Sequence, residues 1–124
     1  WRPHERKFIM ANAGSTTPLV CRGGQLLEPH ASGVPVGLLE NIEYEETEFP
    51  AESGDVFVLY SDGVQDQLNP AGEEYARRRL RRYLEANCDK SANEIASGLL
   101  ADLEVFRETT PVHDDQTVIV LKVD

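Results

Sequence analysis

Two stretches, Val56 to Tyr60 and the middle of Gln116 to Val123, are apolar at successive positions, so both faces of any strand they form would be apolar. That pattern predicts central strands covered on both sides. Lys7 to Ala13 reads as a strand ending at Gly14, and Ser15-Thr-Thr-Pro18 as the loop after it. Pro18 to Arg22 and Gln25 to Glu28 flank Gly23-Gly24, a pair free to take positive φ, which predicts a tight antiparallel hairpin closed by Pro29. Gly33-Val-Pro-Val-Gly-Leu-Leu39 is too rich in glycine and proline for a regular element. Ile42 to Phe49 intersperses apolar positions with Glu43, Glu45, Glu46 and Glu48, as a half-exposed strand would.

Beyond Asn69-Pro70 and Gly72 the period lengthens. Ala76, Leu80, Tyr83 and Leu84 recur at helical spacing, which predicts a helix from about Glu73 to Ala86. Its arginines, Arg77, Arg78, Arg79, Arg81 and Arg82, lie off that stripe. Glu73 and Glu74 stand four residues before Arg77 and Arg78, so surface ion pairs along the helix are expected. Ser91 followed by Glu94 predicts a capping box for a second helix, whose stripe runs Ala92, Ile95, Ala96, Leu99, Leu100, Leu103 and Phe106. Strands, two helices and a final strand make an α+β layer architecture. No internal repeat or low-complexity segment interrupts residues 1–124, which read as one domain.

The two covered strands carry aspartates at their ends. Val56 to Tyr60 runs through Ser61 into Asp62-Gly63, and Asp114-Asp115 precedes Gln116. Antiparallel pairing would set Asp62 beside Asp114 and Asp115. Carboxylates gathered at one sheet rim repel one another and are relieved by a hard cation, and Gly63 would leave its carbonyl available to that ion. Each motif alone is ordinarily a turn or a solvated loop; their expected adjacency makes them a candidate site. His113 is read mainly as a solvated loop histidine, with His4 and His30 weaker still. Trp1 and Phe8 read as core or terminus residues.

Charge narrows the partners. Twelve Lys and Arg against twenty-two Asp and Glu give a net charge of -10, which argues against nucleic acid and anionic membrane. No apolar stretch approaches the length of a membrane span, and no signal-peptide pattern precedes the first charges. Cys21 and Cys88 lie far apart and outside any zinc-ligand spacing. They are expected as reduced thiols in a cytoplasmic protein.

Five ordered segments make the picture more specific: Asn12-Ala-Gly14 with Pro18-Leu19, Gly33 to Leu38, Gly54 to Val64, Asn69 to Glu73, and Asp114-Asp-Gln-Thr117. Together they resemble the C-terminal part of a bacterial sporulation-protein-E-like phosphatase, a branch of the metal-dependent type 2C serine/threonine phosphatases. The resemblance implies an αββα sandwich holding two Mn2+ or Mg2+ ions. It implies Asp62 and Asp115 as metal ligands and catalytic residues, with Asp114 and the Gly63 carbonyl in support. It further implies hydrolysis of a phosphorylated regulatory protein of the anti-sigma-factor-antagonist type, under control of an upstream sensory domain.

Two departures qualify the resemblance. Ser15 stands where the family commonly has histidine after Asn-Ala-Gly, and Asp66 occupies roughly the place of an acidic residue past Asp-Gly. Nothing before Lys7 matches the Gly-Gly-Asp-type strand that supplies the bridging aspartates. The sandwich is therefore expected to be incomplete at the N-terminus and this piece alone inactive. Its unpaired edge and bare apolar face would favour a homodimer. The alternative is a degenerate, non-catalytic signalling module that binds a regulatory protein.

Overall fold

The computed structural model describes all residues 1–124. The order of elements is β1 (Lys7–Met10), β2 (Leu19–Arg22), β3 (Gln25–Leu27), β4 (Thr47–Pro50), β5 (Val56–Tyr60), α1 (Asp62–Gln65), α2 (Ala76–Asn87), α3 (Ala92–Arg107) and β6 (Val118–Lys122). An antiparallel sheet runs β3-β2-β5-β6, and β1 pairs with β4 in a separate two-stranded ribbon. The hairpin turns at Gly23 and Gly24, with φ of 57° and 80°, a region costly for any residue bearing a Cβ.

The pleat divides the apolar residues between two faces. Leu19, Cys21, Val56, Val58 and Tyr60 pack on one face against Leu80 and Leu84 of α2 and Ile95, Leu99 and Leu103 of α3. On the other, Val20, Ala51, Phe57 and Val123 meet Phe8 and Phe49 of the ribbon. Phe57 is sandwiched, with ring centroids 4.0 Å from Phe8 and 5.4 Å from Phe49. Trp1 extends this stack over Phe8 while remaining half exposed. The layers are helix, sheet and ribbon: three of the four in the expected sandwich.

The ribbon covers only part of its face. Leu59, Ile119 and Leu121 share the face of Phe57 through the β5–β6 register, yet remain 38%, 50% and 42% exposed. Both central strands were expected to be covered on both sides; β5 nearly is, whereas β6 is a sheet edge with one open face. Ile42 to Phe49 also departs from expectation, since only Thr47–Pro50 pairs. Most of the glutamate-rich stretch remains irregular, because β1 offers only four partners, Lys7 to Met10.

The helices follow their signals closely. Ser91 Oγ accepts from Glu94 N at 3.3 Å, and Glu94 Oε2 accepts from Ser91 N at 3.0 Å, completing the capping box. Helix α2 begins at Ala76 rather than Glu73, so the expected Glu73–Arg77 and Glu74–Arg78 helical pairs do not form. Arg77 and Arg81 instead reach Glu28 beyond β3, while Glu73 approaches Arg79 at 3.6 Å. Lys122 of β6 donates from Nζ to the carbonyls of Cys88, Asp89 and Lys90 at 3.3, 3.0 and 2.6 Å, placing an ammonium at the C-terminal, negative end of α2. No helix is long and apolar enough to cross a membrane.

The cysteines require a correction. Cys21 and Cys88, expected as separate thiols, form a disulfide with their Cα atoms 6.2 Å apart. They are 67 residues apart in sequence, so no spacing motif announced the pair. Packing of the end of α2 over β2 brings them together.

One buried polar group organises the loop before β5. Asp55, 1% exposed, accepts from Arg22 Nε at 2.8 Å and Nη2 at 2.6 Å, and from Glu52 N at 2.8 Å. Arg22 also donates to Glu52 Oε1 and to the Pro50 carbonyl. This network locks β2 to the chain between β4 and β5. Burial pushes the Asp55 carboxyl upward, but the Arg22 fork and the Glu52 N–H outweigh it and hold the group below its ordinary range.

Candidate functional site

Strands β5 and β6 pair antiparallel with Tyr60 opposite Val118, the arrangement under which Asp62 was expected to meet Asp114 and Asp115. Ser61 then clasps the two chain ends. Its N–H donates to Thr117 O at 3.0 Å, its hydroxyl donates to Asp115 O at 2.7 Å, and its Oγ accepts from Thr117 N at 2.9 Å. Asp62 opens α1 directly after this clasp, and its Oδ1 accepts from Gly63 N at 3.0 Å. Asp114 Oδ1 accepts from Asp115 N at 2.7 Å.

Gly63 is required here for space rather than for φ. A Cβ at that position would lie 2.5 Å from Asp115 O and 3.1 Å from Asp114 O, both backbone atoms that cannot swing aside. The missing side chain allows the acidic loop to close onto α1. We expect Gly63→Ala to destabilise the fold by about 1–3 kcal/mol, the usual cost of overpacking, measured as a lower urea midpoint. An unchanged midpoint would show that the loop has room to spare. The Gly63 carbonyl, expected to be available to a cation, accepts from Gln116 Nε2 at 3.4 Å.

Gln67 is the supporting residue that the sequence did not announce. It is 3% exposed and donates from Nε2 to Leu68 O at 2.9 Å and Pro111 O at 3.2 Å, while its Oε1 accepts from Gln116 Nε2 at 2.8 Å. A buried, satisfied amide of this kind fixes the path of residues 111–116 beside α1. Thr16 adds a brace from the other side, donating its hydroxyl to the Tyr60 carbonyl. Nothing in the polar run Gln65-Asp66-Gln67 distinguished the buried glutamine from its less buried neighbours. Ser61 was visible within the Tyr-Ser-Asp-Gly segment, though its role as a clasp needed the register.

Asp62, Asp114, Asp115 and His113 are all exposed. No ion pair in the chain uses any of the three aspartates. The structure thus gathers their backbones at one rim and leaves the carboxylates without a basic counterpart. In kind these donors fit a hard divalent ion, being oxygen ligands uncompensated by lysine or arginine. In number they fall short: nowhere do three His, Cys, Asp or Glu side chains converge as a metal site. His113 lines a narrow crevice with Gly63, Asp66, Gln67 and Asp114.

The sequence model of the stage II sporulation protein E (SpoIIE) family matches residues 1–124. Stage II sporulation protein E of Bacillus subtilis is 26% identical over 118 residues, which cover 95% of this chain and 14% of that protein. Phosphoserine phosphatase RsbU of the same organism is 30% identical over 92 residues, 74% of this chain and 27% of the relative. Among solved structures, the SiaA-PP2C domain of Pseudomonas aeruginosa superposes with a TM-score of 0.87 at 24% identity, covering 98% of this chain and 48% of that one. The PP2C phosphatase domain of SpoIIE from Bacillus subtilis, solved with a fragment of its regulatory domain, gives a TM-score of 0.74 at 27% identity, covering 94% and 33%. The chain therefore spans well under a third of these curated relatives and at most about half of these solved chains.

Proposed function

Because the chain belongs to the SpoIIE family and shares the fold of its PP2C phosphatase domains, we propose that it is the C-terminal portion of a metal-dependent serine/threonine phosphoprotein phosphatase domain. The observation that carries this reading is the β5–β6 register, which delivers Asp62 and the Asp114–Asp115 pair to one rim. Asp62 and Asp115 would hold a divalent ion, Mn2+ or Mg2+, with Asp114 and the Gly63 carbonyl supporting them. Such an ion, when bound, supplies a water of lowered pKa and neutralises charge on the transferred phosphoryl oxygens.

The chain's own contribution is positional. Ser61 holds the Asp115 backbone to the end of β5, and the Gln67–Gln116 amide pair holds the loop that carries Asp114. The substrate in this reading is a phosphorylated regulatory protein of the anti-sigma-factor-antagonist type, with a sensory domain upstream and the cytoplasm as the setting; that one relative is named a phosphoserine phosphatase supports the phosphoprotein part of it. A second reading, a non-catalytic module that binds such a regulator, has one observation in its favour: fewer than three ligand side chains converge at the rim.

The test is hydrolysis of a phosphoserine protein or peptide by the full-length protein with Mn2+, with Mg2+ and with chelator. Turnover that depends on the ion supports the phosphatase. Binding of the phosphorylated regulator without turnover under any ion supports the module instead.

A further inference from the structure

The Cys21–Cys88 pair takes no part in the phosphatase reading, and its surroundings suit a chemistry of its own. Cys21 is buried in β2, 1% exposed, whereas Cys88 at the end of α2 is only partly covered. Both line an open cleft of about 640 Å3. The hairpin tip at Gly23 and Gly24 forms part of its wall without side chains, and the Lys122 ammonium lies at the Cys88 carbonyl, 3.3 Å away. Cys88 is therefore the sulfur of the pair that the cleft opens to solvent, the access that exchange requires. Cys21 sits behind it, within bonding reach and out of solvent.

We propose that Cys21 and Cys88 form a reversible thiol–disulfide exchange site, with Cys88 as the attacking thiol, Cys21 as the resolving thiol and a low-molecular-weight disulfide as the oxidant. Cys88 thiolate attacks one sulfur of that disulfide and expels one small thiolate, leaving a mixed disulfide. Cys21 then loses its proton and attacks the Cys88 sulfur, expelling the second. Two protein thiols are oxidised, one small disulfide is reduced to two thiols, and the reverse sequence opens the bond. The proposal rests on the cytoplasmic setting read above only in that disulfides there are mostly transient.

Closure ties β2 to the end of α2, joining the sheet to the helix layer. Cys21 faces Val56 across β2–β5, at the end of β5 remote from Tyr60 and the aspartates. At about 3.3 Å per residue, four residues of strand put roughly 13 Å between the staple and the rim. Its effect falls on the stability of the helix layer rather than on phosphate chemistry.

The test equilibrates the full-length protein in oxidising and reducing glutathione buffers, traps free thiols by alkylation and maps the digest by mass spectrometry. The Cys21 and Cys88 peptides should be linked in the oxidising buffer and separately alkylated in the reducing one. Wild type should unfold at least about 5 °C lower when reduced. Cys88→Ser should match the reduced wild type and ignore the buffer. Cys21→Ala, with its partly exposed partner retained, should accumulate glutathione on Cys88. Linked peptides that resist the reducing buffer, free thiols in both buffers, or a wild-type midpoint indifferent to the buffer would each overturn the proposal. None of these readouts uses phosphoserine hydrolysis, so failure of the phosphatase reading leaves the result interpretable.

Discussion

Asparagine in place of Asp62 or Asp115 in the full-length protein is expected to lower metal-dependent kcat/KM by more than about a hundredfold, since loss of an outer partner alone typically costs 10–100-fold. The substitution keeps the shape of the side chain and removes its charge. In Asp62→Asn the amide oxygen can still accept from Gly63 N, as the Asp62 Oδ1 atom does in the wild type. Both sites are exposed and outside every ion pair, so the urea midpoint should stay within about 0.5 kcal/mol of wild type. A large fall in turnover with unchanged stability, together with a higher Mn2+ concentration for half-activity, would assign the two carboxylates to the ion. Asp114→Asn should lose less, about tenfold, because the proposed assignment gives Asp114 a supporting place beside the ion's ligands. Full activity in both Asp62→Asn and Asp115→Asn would remove the metal assignment altogether.

Arg22→Leu is expected to be the most damaging single change to the fold, at about 3–5 kcal/mol, because it leaves the buried Asp55 carboxylate without its cation. That is a large part of the total stability of a domain this size, commonly about 5–15 kcal/mol. Asp55→Ala should cost less, since Arg22 is 29% exposed and can turn its guanidinium to water. The pH dependence separates the two states of the network. In wild type the folded Asp55 carboxyl titrates below its unfolded value of about 3.9. At a pH between the two values the unfolded chain binds the proton more readily. The Asp55 contribution is therefore complete above the unfolded pKa and is lost as pH falls through the folded one. In Arg22→Leu burial dominates and the folded carboxyl titrates high, so the sign reverses and the variant gains stability as pH falls from about 7 towards about 4. Urea midpoints across that range check both signs; a variant that weakens in parallel with wild type would show that Arg22 does not control Asp55.

How much of this was legible from the chain depends on the range of each interaction. The strands β5 and β6, the Gly23-Gly24 hairpin and the Ser91–Glu94 cap are announced locally, by apolar runs, turn residues and a three-residue spacing, and each is present. The α+β layering follows from the same signals. What failed depends on distant neighbours. Helix α2 starts three residues late, and its arginines serve Glu28, a residue roughly fifty positions earlier that no helical spacing could nominate. The disulfide, the burial of Gln67 and the burial of Asp55 share this character, because each is set by which element packs on top. The candidate site divides along the same line. Its adjacency follows from strand register, while the convergence of a full ligand set on an ion depends on more of the shell than Asp62, Asp114 and Asp115 supply.

Lys122 carries an implication for how the molecule is made. Its ammonium holds the carbonyls of the turn that follows α2, and its strand is the neighbour that β5 needs on one side. During synthesis β2, β3, β5 and both long helices emerge while that partner is still inside the ribosome. Phe57 and Leu59 then wait with the backbone groups that β6 will pair open to solvent along one edge for roughly sixty residues of translation, several seconds at about 5–20 residues per second. The nascent sheet is thus exposed to mispairing for that interval, and slowing elongation between β5 and β6 should lower the yield of folded protein more than slowing it before β5.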